Sequence, residues 1–212
     1  MKLYTYFRSS ASFRVRIALN LKGLAYQPVF VHLAKGEHRQ PHYTKVNAQA
    51  LVPTLELDDG TRLTQSLAIM EWLEERHPTP ALLPKDASGR ARARAISDLI
   101  ACEIHPLNNL RVLQHLKRAL GQTQDQIDTW YRHWIADGLQ KLEAELAGPG
   151  TGKFCHGDSP TMADCCLVPQ IFNAKRYNSD LAPYPKTMRA FENCMALAAF
   201  DRAQPSKQPD AE

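Results

Sequence analysis

The chain has 212 residues, with 26 Lys and Arg against 22 Asp and Glu and a formal net charge of +4. Hydrophobic residues make up 44% and charged residues 23%, the balance of a globular chain of one large or two small domains and not of a disordered one. There is no block of consecutive Lys/Arg and no basic stripe with interleaved aromatics, no apolar run of about 18 residues and no signal-peptide core, so neither nucleic-acid binding nor a membrane span is expected and a cytoplasmic location is.

Lys2-Leu3-Tyr4-Thr5-Tyr6 alternates as a strand does, and Phe13 to Lys22 contains no Gly or Pro and reads as helix. Between them lie Arg8 and three hydroxyls, Ser9, Ser10 and Ser12. A strand that turns directly into a helix leaves the first helical N–H groups without partners. Serine caps such a start in the first instance. The same place favours an anion, and a thiolate held there has a depressed pKa. The helix is apolar on two sides, with Phe13, Ile17 and Leu21 on one and Val15, Ala18 and Leu19 on the other, so burial against the sheet and against a second domain is expected. Gly23 is placed to end it.

Tyr26-Gln27-Pro28-Val29-Phe30-Val31 reads as a second strand, at a sheet edge because of Pro28. His32 to Ala50 is polar and irregular, with room for one short helix. Leu51 to Leu57 forms the next strand with Pro53 near its start, Asp58-Asp59-Gly60 is a hairpin turn, and Thr61-Arg62-Leu63 returns antiparallel. Gln65-Ser66 then stands at the start of a helix that closes before Pro78, with Ser66 in the position of an N-cap.

Prolines at 78, 80 and 84 mark a linker, and beyond it long helical patterns replace strands. One helix is expected from about Ala87 to Leu120, kinked at Pro106. Ile127, Trp130 or Tyr131, Trp134 or Ile135, Leu139, Leu142 and Leu146 form a helical stripe. Thr161-Met162-Ala163-Asp164 is a capping box with a folding role and no chemistry assigned to it. Its helix continues to Tyr177, a last helix covers Lys186 to Phe200, and Gln204 to Glu212 is a polar tail. The five cysteines (Cys102, Cys155, Cys165, Cys166, Cys194) show no metal spacing and are expected to be buried, reduced thiols.

The segment Ser9-Ser10-Ala11-Ser12-Phe13-Arg14-Val15-Arg16-Ile17-Ala18-Leu19 closely resembles the opening motif of the zeta class of glutathione transferases, with Ala11 where that motif usually has Cys. Leu51-Val52-Pro53, Gln65-Ser66, Pro106-Leu107 with Asn109-Leu110, Val168-Pro169-Gln170 and Asn173-Ala174-Lys175-Arg176 extend the resemblance over essentially the whole chain. It implies an α+β, thioredoxin-like domain of βαβ-ββα order over residues 1–82, with a cis Val-Pro bond, and an all-α domain over residues 86–212. It implies glutathione as cofactor, held by Ser9, Ser10, Ala11, His38, Val52, Gln65 and Ser66, with the thiolate served by Ser9 or Ser10. His105, Asn109, Leu110 and Arg111 would lie by the glutathione of the partner in a homodimer. Arg8 and Arg176 would bind the carboxylates of a maleyl dicarboxylate, and no metal is implied. The implied activity is glutathione-dependent cis–trans isomerisation in aromatic-acid breakdown. Maleylpyruvate is the expected substrate and maleylacetoacetate the alternative. A general conjugating transferase, which would not need Arg8 and Arg176, and a non-enzymatic member of the fold are the other classes.

Overall fold

The computed structural model describes residues 1–212, which fall into two compact units: residues 1–82 with 196–212, and residues 83–195.

In the first unit β1 (Lys2–Thr5) runs parallel to β2 (Gln27–Phe30) and antiparallel to β3 (Thr54–Glu56), which pairs with β4 (Arg62–Thr64). The order β2-β1-β3-β4 leaves β2 at an edge, where Pro28 costs no ladder bond. Leu3 faces Leu55 across the β1–β3 pair, and both are fully buried. Helix α1 (Ser10–Leu21) packs on α3 (Ser66–Arg76), with Ile17, Leu19, Ile69 and Leu73 all inaccessible to solvent. Each such side chain contributes about 1.5–3 kcal/mol by leaving water. A second cluster gathers Tyr6, Phe7, Val31, Tyr43 and Val52, with Tyr43 on the short α2 (Pro41–Thr44). The Tyr43 hydroxyl donates to Leu51 O at 2.6 Å, which ties down the segment just before the cis Val52–Pro53 bond.

Gly23 ends α1 at φ +65°, a left-handed conformation that a side chain resists, and Leu24 N–H closes on Leu19 O at 2.9 Å. Lys22, buried, donates to Glu74 Oε2 at 2.9 Å and to the carbonyl of Pro80 at 2.8 Å, so the chain leaving the unit is held by a satisfied charge.

The chain's own C-terminal segment returns to α1. Helix α9 (Ala198–Arg202) packs against it, Asn20 Nδ2 donates to Ala199 O at 2.9 Å, and Phe200 and Ala203 are buried. Residues 196–212 therefore belong with the first unit and not with the helices that precede them. The expected helix from Lys186 to Phe200 is accordingly two, α8 (Pro185–Met195) and α9.

The second unit is helical. The expected long helix is broken: α4 (Ala87–Asp98) passes into a π-helical stretch (Leu99–Ile104), a 3-10 turn (His105–Asn108) and a newly capped α5 (Leu110–Arg118). Pro106 has no N–H to continue an α-helical ladder, and Asn109 restarts it from an extended conformation at φ −67°, ψ 146°. The carbonyl of Leu107 accepts from Trp130 Nε1 at 2.8 Å on α6 (Gln124–Glu145). Gly138 of α6 passes so close to Ile104 that a Cβ there would lie 2.3 Å from the isoleucine side chain. In α7 (Met162–Arg176) the capping box is present: Asp164, fully buried, accepts from Thr161 N–H at 2.7 Å and from its hydroxyl at 2.9 Å. Thr161→Ala is expected to cost about 1 kcal/mol, read as a fall of a few degrees in Tm with unchanged kcat. Of the five cysteines, all expected to be buried, Cys102 proves exposed. No helix is long and apolar enough to cross a membrane.

Candidate active site

The site is built from the two helix starts of the first unit. At the end of β1 the chain turns, Ser9 N–H donating to Tyr6 O at 3.0 Å, and enters α1. Ser9 is the N-cap, with extended backbone and its Oγ accepting from Ser12 N–H at 3.2 Å. The oxygen thus serves the helix while the hydroxyl proton remains to be given to an acceptor outside. Ser10 is buried, whereas Ser9 and Ala11 are partly exposed, so of the two serines Ser9 is the one that combines cap and access. Arg8 is exposed; it donates to the Tyr6 hydroxyl at 3.0 Å and its guanidinium carbon lies 5.0 Å from the centre of the Phe7 ring. Tyr6 and Phe7 therefore preorganise a cation next to the serine turn.

The second helix start differs from expectation. Gln65, not Ser66, occupies the N-cap position of α3, at φ 68°, ψ 116°, a strained region for a residue with a side chain. Its amide donates to Gln49 Oε1 at 2.6 Å. Ser66 is the first helical residue, buried, and its hydroxyl oxygen accepts from Arg14 Nη1 at 3.1 Å. Arg14 belongs to α1, so this bond ties together the two serine-bearing helix starts. Accepting from a cation leaves the Ser66 hydroxyl proton available to a further acceptor. Arg14 and Arg16 were both missed in reading the sequence. Their signal was present: two arginines inside a helix apolar on both sides must be buried and must therefore find acceptors.

Val52 precedes the β3 ladder, which begins at Thr54, so the sheet does not claim its backbone. His38 lies in the short turn Glu37–Arg39, buried, with Nδ1 meeting no hydrogen-bond partner in the chain. Burial, with the Arg39 charge adding to it, lowers its pKa below the usual imidazole value, so the ring is neutral at neutral pH. One orphaned imidazole nitrogen, a strand-like segment outside the ladder and two joined helix starts fit a small extended peptide that carries carboxylates and a thiol. Glutathione is such a peptide.

The remaining candidates lie in the second unit. His105 Nε2 is 3.4 Å from Asn109 Nδ2, and Asn109 Oδ1 caps α5 by accepting from Arg111 N–H at 3.1 Å. Leu110, 36% exposed, lines a cavity of about 320 Å³ together with Leu113, Lys117, Arg118, Ile127 and Tyr177. Arg176, the last residue of α7, is exposed and lies 4.8 Å over the Tyr177 ring, which stacks on the buried Tyr131 at 3.5 Å. Burial pushes the Tyr131 hydroxyl up to about 12, against the pull of Arg176.

Comparison with known proteins identifies the family. Residues 8–76 match the family "Glutathione S-transferase, N-terminal domain" and residues 111–199 match "Glutathione S-transferase, C-terminal domain". A maleylpyruvate isomerase of a Ralstonia species is 49% identical over the whole of both chains. A holo structure of a maleylpyruvate isomerase, described as a bacterial glutathione S-transferase of the zeta class, is 48% identical, with a TM-score of 0.97 over 100% of each chain. A maleylacetoacetate isomerase from Methylobacterium extorquens AM1, solved with malonate and glutathione bound, is 42% identical, also with a TM-score of 0.97 over 100% of each chain. With matching family domains covering most of its length and relatives this similar from end to end, the chain belongs to the glutathione S-transferase family, within its zeta class.

Proposed function

We propose that the chain is a cytoplasmic, glutathione-dependent cis–trans isomerase whose substrate is maleylpyruvate. The observation that carries this reading is the pair of helix starts bearing Ser9 and Ser66, bridged by Arg14, with the Arg8 cation fixed beside them. Ser66 and the start of α3 would hold a carboxylate end of glutathione, the Val52 backbone would pair with its middle, and His38 would meet it with the unpartnered ring nitrogen. The bound cofactor supplies a thiolate, which adds reversibly to a conjugated cis double bond, permits rotation and is expelled unchanged. The chain's own part is threefold. The Ser9 hydroxyl and the first N–H groups of α1 keep the sulfur ionised near neutral pH. Arg8 and Arg176 bind substrate carboxylates through planar, two-pronged contacts. The same fixed donors stabilise the charge that builds up on the conjugated oxygens. Ala11 is compatible with this chemistry, because the required sulfur arrives with the cofactor. Maleylacetoacetate remains a second reading, favoured by the 42% identical relative of that name.

The distinguishing experiment uses less glutathione than substrate. Maleylpyruvate is expected to be converted many times over while the free thiol titre stays constant. A conjugating transferase would instead consume one thiol for each substrate molecule and stop.

The chain is further proposed to work as a symmetric homodimer, in which His105, Asn109, Leu110 and Arg111 approach the partner's glutathione. Helix α5, with no fully buried residue, supports this. Light scattering at micromolar concentration is expected to give twice the 23.9 kDa chain mass, and a monomer would remove the proposal.

A further inference from the structure

The C-terminal segment of the first unit returns to the turn that carries Ser9, and it brings a charge. Asp210 Oδ2 accepts from Phe7 N–H at 2.9 Å. From inside, Arg16, 1% exposed, donates Nη1 to Tyr6 O at 3.3 Å and to Thr5 Oγ1 at 3.1 Å, and Nη2 to Phe7 O at 2.9 Å. Its Nε donates to Ala203 O at 3.1 Å, in the same returning segment. The Tyr6–Phe7 peptide is therefore gripped at both ends: its C=O by Arg16 and Ser9 N–H, its N–H by Asp210. The next carbonyl, of Phe7, is held by Arg16 again. Little rotation is left to the two residues that follow, Arg8 and Ser9.

A polar tail with no task would keep its carboxylate in water. Asp210 instead has Oδ1 buried with no partner in the chain, a cost that must be offset elsewhere. Part of the offset is electrostatic. Burial lowers the Arg16 guanidinium to about 10, and Tyr26 and then the Asp210 charge act in the opposite direction.

The geometry points to Asp210 as a positioning residue for the isomerase reaction: by holding Phe7 N–H it sets where the Ser9 hydroxyl and the first N–H groups of α1 stand against the glutathione thiolate. This rests on the reading that the Ser9 turn ionises the thiol, and the test separates the two. Ultraviolet titration of the thiolate in the glutathione complex would be run on the parent, Asp210→Ala, Asp210→Asn and Ser9→Ala, beside kcat/KM for maleylpyruvate and amide exchange of residues 7–9 without glutathione. Asp210→Ala is expected to raise the bound thiol pKa by about one unit, lower kcat/KM about tenfold and speed exchange at Phe7. Asp210→Asn keeps an oxygen that can accept from Phe7 N–H and is expected to stay within about threefold of the parent. A merely structural role would lower Tm while leaving the thiol pKa of the folded complex unmoved. If Ser9→Ala shifts the thiol pKa and Asp210→Ala does not, the positioning role is wrong and the Ser9 reading stands. If neither shifts it, both fall.

Discussion

Replacing Arg8 or Arg176 with alanine is expected to lower kcat/KM for maleylpyruvate by more than about thirtyfold each, with little change in glutathione affinity. A maleyl substrate carries two carboxylates, and burying either without a partner would be costly. Losing one member of a hydrogen-bonded charge pair in a partly dry site costs about 2–5 kcal/mol. Both arginines are held by aromatic faces: Arg8 lies 5.0 Å from the Phe7 ring centre and bonds the Tyr6 hydroxyl, and Arg176 lies 4.8 Å over Tyr177, itself stacked on Tyr131. Packing against a ring limits the rotation of a guanidinium, and donors beyond the Arg8–Tyr6 bond remain for a carboxylate, so part of the ordering entropy is met before substrate arrives. Arg176→Lys should recover only part of the loss, since an ammonium neither stacks in that way nor makes two parallel bonds. Steady-state kinetics with each substrate varied in turn is the check. Normal isomerisation by both alanine variants, or loss of glutathione binding in place of turnover, would discard the carboxylate role and favour a conjugating transferase.

Ser9→Ala is expected to lower kcat/KM by about tenfold to a hundredfold and to raise the pKa of the bound thiol by one to two units, because a hydrogen bond to a charged group is worth about 1.5–3 kcal/mol. The same change removes the cap of α1, where Ser9 Oγ accepts from Ser12 N–H, and should cost about 1 kcal/mol of stability. Ser9→Thr separates the two effects by keeping both hydroxyl and cap, and should stay close to the parent. Ser10→Ala should matter less, since Ser10 is buried. Unaltered thiol pKa in both alanine variants would mean that backbone N–H groups alone ionise the sulfur.

Much of the site was legible because its parts are local. A strand, three serines and a helix without Gly or Pro specify a capped turn from neighbours in sequence alone. Pro28 marked an edge strand and Asp59-Gly60 a hairpin, each through a backbone property of one residue. What escaped depends on partners far along the chain. Arg14 meets Ser66, Arg16 meets Ala203 and Phe7 meets Asp210, and composition cannot say which acceptor a buried arginine will find. For the same reason the tail read only as a polar end, when residues 196–212 group with the first unit. Pro106 predicted a kink, but not a passage through π and 3-10 turns to a new cap at Asn109, which depends on Trp130 taking the Leu107 carbonyl. The N-cap of α3 was assigned one residue late, because Gln65 is held in a conformation that its residue type disfavours.

The most direct measurement is the absorbance-monitored rate of cis–trans conversion of maleylpyruvate and of maleylacetoacetate by the same preparation, with and without glutathione. The account predicts turnover of maleylpyruvate that requires glutathione, leaves it unconsumed and exceeds that of maleylacetoacetate in kcat/KM. Conversion that proceeds equally without glutathione, or a clear preference for maleylacetoacetate, would contradict it.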